Sequence, residues 1–145
     1  MGMNKYVSRA KDVLKKSGDG LYIGGALATL ATSVPFARKY AHVFAGLPWN
    51  EMTEVAKYPW TAIGAGELGQ VMRDYSVDRE HHVENHWLEH AGRALRPANL
   101  AALPVAYATD DNGLYALVAT GGLTALGHGL EYAGKIMRSR KERAK

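Results

Sequence analysis

The chain has 145 residues, enough for one domain with a buried core, and 47% of them are hydrophobic, which excludes wholesale disorder. It contains no cysteine, so a disulfide scaffold, a cysteine-ligated zinc site and a thiol nucleophile are excluded. The net charge is +4, and basic residues gather at the two ends around a more acidic middle. Such ends either contact a phosphate-bearing surface, such as lipid headgroups, or are simply solvated.

Residues 1–19 are predicted to form a basic amphipathic segment, with a helix over 3–16 that ends in the turn-forming residues 17–20. Apolar side chains recur at helical spacing, and lysine and arginine occupy the other face. A basic amphipathic helix before an apolar stretch is typical of an interfacial anchor. We therefore expect Lys15 and Lys16 to contact lipid headgroups.

Residues 20–37 are predicted to form a first apolar helix, because they contain no charged residue and would span about 27 Å, just enough to cross hydrocarbon. Small residues recur at every fourth position and let helix backbones approach closely in lipid. In water, each glycine would instead destabilise a helix by about 0.5–1 kcal/mol. The predicted packing rows are Gly20, Gly24, Ala28 and Thr32 on one side, and Gly25, Thr29 and Ser33 on the other.

Residues 38–112 are predicted to form a helical middle module with a break near Asp78 and a stop at Pro97. Its predicted helices span residues 50–57, 61–75 and 77–95. Aromatic residues concentrate at its start and suit either a membrane boundary or an ordinary core. They are Tyr40, Phe44, Trp49, Tyr58 and Trp60.

Gly64, Gly66 and Gly69 match the dinucleotide-binding pattern G-x-G-x-x-G. That pattern needs a buried strand before it and an acidic residue about 20 positions later. Only a short stretch containing Pro59 precedes it, and Asp78 comes too early. The sequence therefore favours glycines that permit close helix packing over a nucleotide site.

His82, His86 and His90 are spaced four residues apart, so one helix would carry them on one side. Neighbouring pairs in such a row could share a zinc, copper or nickel ion, with His42 as a third ligand. The alternative is a polar, partly protonated face that contacts a partner or senses pH. The histidines thus mark either a metal site or a partner contact.

Residues 113–130 are predicted to form a second apolar helix, which packs through a row at Gly121, Ala125 and Gly129. His128 is the ionisable residue in it and would be an intramembrane polar group. It could hydrogen-bond to the first apolar helix or bind a haem or chlorophyll-like pigment. An interhelical hydrogen bond is the simpler expectation.

Residues 131–145 form a basic tail in which Arg138, Arg140 and Lys141 are expected to contact headgroups. The tail has no interleaved aromatic residues, so it predicts no specific nucleic-acid binding. With both termini basic, the positive-inside rule places both on the cytoplasm-like side of a membrane. No serine lies in a nucleophile-elbow context, which predicts no catalytic residues and no enzyme.

These features predict an all-α protein with two small-residue-rich transmembrane helices in a hairpin, around a helical module. The expected function is a non-enzymatic membrane structural or accessory subunit of a larger assembly, such as an energy-transducing complex or a membrane-containing virion. Its partners would be the bilayer and other protein subunits, including copies of itself, and no cofactor is expected. The alternatives are a soluble structural protein of a particle, a pore-forming or lysis-type protein, and a histidine-ligated metal or haem protein.

Overall fold

The fold is all-α, as the composition and periodicity predict, and a computed structural model describes residues 3–40, 49–109 and 112–144. Within those ranges there is no strand. Helix α4 is a short connector, and a 3₁₀ helix joins it to α3. The helices are α1 (Met3–Tyr40), α2 (Trp49–Glu80), α3 (Trp87–Leu95), the 3₁₀ helix (Arg96–Ala101), α4 (Ala102–Ala108) and α5 (Gly113–Arg143).

Three predicted helix boundaries are wrong. Helix α1 runs without interruption through residues 17–20, and α2 continues through both Pro59 and Asp78. A long helix can continue through residues of low helix propensity when packing against a neighbouring helix stabilises it. Gly18 has such support, because it lies against α2. The predicted break instead lies at residues 81–86, after α2.

The helices pair differently from the predicted hairpin of residues 20–37 with 113–130. Helix α1 packs antiparallel against α2, with Gly25 beside Gly66 and Gly18 beside Gly69. Helix α5 packs against α2, α3, the 3₁₀ helix and α4, whereas α1 and α5 do not pack along each other within the described residues. The hairpin is therefore α1–α2, because the closest backbone contacts of α1 are with α2.

Glycines set the distance between the paired helices. A Cβ atom at Gly25 would lie 2.7 Å from the Cα of Gly66, and one at Gly127 would lie 2.7 Å from the carbonyl oxygen of Gly92. Real Cβ atoms essentially never lie this close to another atom, so both positions must be glycine for the helices to approach so closely. The glycines of the G-x-G-x-x-G pattern belong to the same system, since they lie inside α2. No strand precedes them within residues 3–40 and 49–63, so this part of the chain lacks the strand that the nucleotide-binding pattern needs.

The interior of this fold is small and polar rather than rich in large apolar side chains. Among the described residues, the buried hydrophobic ones are Val71 and three alanines, and the largest fully buried side chain is Glu89. Large apolar side chains lie outside, above all on α1 and α5. Within the described residues, no helix is both long enough and apolar enough to be a candidate for crossing a membrane.

The two adjacent glycines of α1 provide a direct test of this packing. We expect Gly25→Ala to lower the free energy of unfolding by about 1–3 kcal/mol, because the added methyl group meets the α2 backbone. Gly24→Ala should raise it by about 0.5–1 kcal/mol, because a Cβ at Gly24 meets nothing within 4 Å and alanine favours the helix. Denaturant unfolding followed by circular dichroism measures both. Equal effects from the two substitutions would contradict the α1–α2 contact.

Candidate functional site

The candidate site is a cluster of charged side chains where α2, α3, the 3₁₀ helix and α5 meet. Arg96, at the start of the 3₁₀ helix, lies at its centre and is 5% exposed. Its Nε donates to Glu67 Oε2 at 2.8 Å, and its Nη1 donates to Glu131 Oε2 at 2.8 Å and to Asp74 Oδ2 at 3.1 Å. One guanidinium thus joins carboxylates from two long helices.

Arg93, one turn earlier on α3, repeats this arrangement. Its Nε donates to Glu131 Oε1 at 3.3 Å, and its Nη1 lies 2.6 Å from Asp78 Oδ2 of α2. The guanidinium also lies over the ring of Tyr75, 4.8 Å from the ring centroid. Because Arg93 and Arg96 share Glu131, the two arginines form one continuous network.

The network ends at Glu89 and Arg138, which connect the start of α3 to the end of α5. Glu89 Oε1 accepts a hydrogen bond from the backbone N–H of His86, which caps α3, and Glu89 Oε2 lies 3.2 Å from Arg138 Nη1. Arg138 also donates to Asn85 at 2.7 Å. These bonds attach the loop before α3 to α5.

Pairing outweighs burial in its effect on the pKa values of Glu131 and Arg96. Burial by itself would raise the pKa of Glu131, but hydrogen bonds from Lys135 and Arg96 lower it to about 2. Burial would likewise lower the pKa of Arg96, whereas its bonds to Glu67 and Glu131 raise that pKa above the ordinary value. At neutral pH these groups are fixed charges, which suits a structural role better than proton transfer.

A groove of about 520 Å³ opens beside the network and is lined by its outer side chains. His128, half exposed, places its Nε2 3.3 Å from Glu67 Oε1 at this opening. His128 therefore makes an interhelical contact, as expected, but its partner is a carboxylate of α2 and not a hydroxyl of the first apolar helix. Its role as an intramembrane polar group stays a prediction. The carboxylates of the groove already contact arginine, lysine or histidine, so the groove is close to electrically balanced.

The predicted histidine row is not on one helix. His82 lies in the turn after α2, where its φ of 53° is the left-handed conformation that ends a helix. His86 caps α3 by accepting from the N–H of Leu88 at 3.3 Å, and His90 Nδ1 lies 3.0 Å from the hydroxyl of Tyr75. In the ranges that the structure describes, no group of three or more His, Asp or Glu side chains is arranged to hold a metal ion. His42 lies outside the described residues.

The small-residue rows divide between packed and open positions. Gly25 is buried against α2, Thr29 is half-buried, and Gly121 lies against the indole of Trp60. Five positions that were predicted to pack are exposed instead. They are Gly20, Gly24 and Gly129, at which a Cβ would meet nothing within 4 Å, and Ala28 and Ala125. Thr32, which is half-buried, donates its hydroxyl to the carbonyl of Ala28 in its own helix. On α1, the row that contacts α2 contains Gly25 and therefore lies one residue away from the first predicted row, which contains Gly24.

Of the predicted headgroup contacts, Arg138 is differently placed because it bonds within the protein. Lys15, Lys16, Arg140 and Lys141 are exposed. Sequence reasoning missed the central residues Arg93, Arg96 and Glu131. A signal was present, because the acids of α2 at positions 67, 74 and 78 share one helix face, and the two arginines lie three residues apart.

Comparison of this chain with known protein families, with curated proteins and with solved structures gave no match.

We expect Glu131→Gln to lower the free energy of unfolding by about 3 kcal/mol, because removing this charge leaves two buried arginines short of a partner. The matched control is Glu142→Gln on the same helix, where the side chain is exposed and the change should stay within about 0.5 kcal/mol. Chemical denaturation of both variants at pH 7 measures the difference. Similar losses at the two positions would contradict the network.

Acid should remove the contribution of Glu131 in a defined pH range. Its pKa is lowered from an ordinary 4.5 to about 2, so its contribution is complete above about pH 4.5 and is lost as the pH falls toward 2. Over that range the free energy of unfolding of the unmodified chain should fall by about 3 kcal/mol more than that of Glu131→Gln. Unfolding curves of both proteins from pH 7 to pH 2 test this. Parallel pH profiles would refute it.

Proposed function

We propose that this chain is a non-enzymatic structural or accessory subunit of a larger assembly, in which neighbouring protein subunits cover its apolar helix faces. The observation that carries the proposal is the distribution of its side chains. Charged groups fill the interior, whereas large aliphatic and aromatic groups lie on the surface of α1 and α5. Extensive exposure of large apolar side chains is rare on a free monomer when they form a patch, and such a patch is typical of an interaction surface.

The ion-pair network supports this role because it can fix the helices without a large apolar core. Glu131 and the two arginines are buried and paired across four elements of the fold. Ion pairs add little net stability compared with apolar packing, but they specify how helices are arranged. The apolar side chains are then free to stabilise contacts between subunits.

The predicted membrane function is the second candidate, and the position of the basic residues favours it. The N-terminal part of α1 lies beside the C-terminal part of α2. The C-terminal part of α5 reaches the loop that follows α2, at the same end of the molecule. Exposed Lys15 and Lys16 therefore point to the same end of the molecule as Arg140 and Lys141. A bilayer would meet this basic end with its anionic headgroups, with both termini on the cytoplasm-like side.

The experiment that tests the proposal is purification without detergent, followed by size-exclusion chromatography with light scattering. We expect a particle whose mass is a multiple of the chain mass at micromolar concentration, because the exposed apolar faces are buried between subunits. Membranes of the cells that express the chain are also extracted with carbonate, which leaves an integral membrane protein in the pellet. A detergent-free, monodisperse monomer would contradict both candidates.

Recovery in the carbonate supernatant as an oligomer would support protein neighbours. Retention in the pellet, with solubility only in detergent, would favour the membrane candidate over a subunit that is covered by other proteins. Protease mapping of the two ends in sealed vesicles then tests the topology. Digestion of the ends from opposite sides would contradict it.

A further inference from the structure

Helix α1 has two faces, and only one of them is occupied within the described residues. Its inner face holds Gly18 and Gly25, seven residues apart, against the backbone of α2. Its outer face carries large side chains that are each 55–76% exposed. From residue 23 to residue 34 they recur at intervals of four, three and four residues, and two more lie seven residues apart nearer the N-terminus. These side chains are Tyr6, Val13, Ile23, Leu27, Leu30 and Val34.

The spacing of the outer face is that of a coiled-coil seam. With Gly20 and Leu27 at position a of a seven-residue repeat, Ile23 and Leu30 fall at position d, and Val34 at the next a. Such a seam is a narrow stripe, which another helix fills with side chains inserted between its residues. The repeat therefore favours a helix as the partner.

The residues beside the seam favour a helix over a lipid surface. An interfacial helix carries lysine and arginine next to its apolar face. Here the flanking positions between 20 and 34 are the small, uncharged residues Gly24, Ala26, Ala31 and Ser33. Small flanking residues let a second helix approach closely, as glycines already do on the inner face.

We propose that the outer face of α1 pairs with the same face of α1 in a second copy of this chain, in antiparallel orientation centred between Leu27 and Leu30. The proposal rests on the proposed function and identifies one of its subunit contacts. Leu27 of one copy then lies beside Leu30 of the other, and Ile23 beside Val34. Gly20 lies opposite Ala37.

Charge decides the orientation. Position d is occupied by Arg9 and Lys16 in the N-terminal part of α1, and Lys5, Lys11 and Lys15 are nearby. A parallel pair would place these cations side by side, whereas an antiparallel pair separates them to opposite ends of the interface. Only the uncharged stretch of residues 20–37 then forms the contact.

The available area is sufficient for a specific dimer. The four aliphatic side chains from Ile23 to Val34 expose roughly 100 Å² each, and the small residues between them add to this. Two copies would bury about 1,000 Å², the lower limit expected of a specific interface. The contact is thus adequate for a dimer within a larger assembly.

The first test uses Leu27→Glu, which places two carboxylates in the seam, and Val77→Glu as the control on α2. Both side chains are exposed, so neither substitution should unfold the chain, which circular dichroism checks. Light scattering should show at least a tenfold rise in the dissociation constant of the α1 contact for Leu27→Glu and no change for Val77→Glu. If the unmodified chain is oligomeric and Leu27→Glu is equally so, the α1 pairing is refuted while the proposed function stands.

The second test uses the absence of native cysteine. Gly20→Cys and Ala37→Cys chains of distinguishable mass are mixed and oxidised, and each introduced side chain lies on an exposed position. The antiparallel pair predicts a disulfide between the two different variants. Disulfides between identical Gly20→Cys chains would show a parallel pair and overturn the proposal. An unmodified chain that is monomeric alone and binds phosphatidylglycerol vesicles through Leu27 would assign the seam to lipid and also overturn it.

Discussion

The contact of Arg96 with Glu131 is the interaction on which the rest of the structure depends. It joins the 3₁₀ helix to α5, and the same guanidinium reaches two acids of α2. Thr124 of α5 adds a bond to the carbonyl of Arg96 at 3.0 Å, so the backbone is held as well as the side chain. Besides this contact, α2 and α5 meet directly where Gly121 lies against Trp60 and where His128 lies beside Glu67.

The ion pairs and the glycines need each other. Gly92 and Gly127 bring α3 and α5 close enough for short bonds to form, and Gly134 leaves room for the buried side chain of Glu89. A larger residue at any of these positions would separate the helices and leave buried charges unpaired, which is costly. Small residues therefore serve the polar interior here, in addition to the helix contact that their spacing predicts.

This interior has a consequence for the surface. Because the space between the helices is taken by glycine, alanine and paired charges, most of the large apolar side chains described on α1 and α5 face outward. In water that distribution would leave much apolar area unburied, and neighbouring subunits provide the simplest way to bury it. The proposed contacts of α1 thus follow from how the chain packs inside.

The helical class could be predicted from the sequence because helical periodicity and the absence of strand patterns are local signals. The positions of Gly25 and Gly24 could not be told apart, since adjacent glycines differ only in which neighbour they meet. The histidine row failed because its helix was assumed to be continuous, whereas α2 ends at Glu80 with His82 in a left-handed turn. The Arg93–Arg96 network was missed because its partners lie 15 to 38 residues away in the chain, and the shared helix face of the acids does not show which residues pair with them.

The structure combines a charged interior with exposed apolar side chains, which we propose other subunits cover. Hydroxyl-radical footprinting of the native protein, read residue by residue along α1, tests that claim most directly. We predict weak labelling of Ile23, Leu27 and Leu30 at high protein concentration and strong labelling after dilution to the free chain. Strong labelling of these three residues at every concentration would contradict the account.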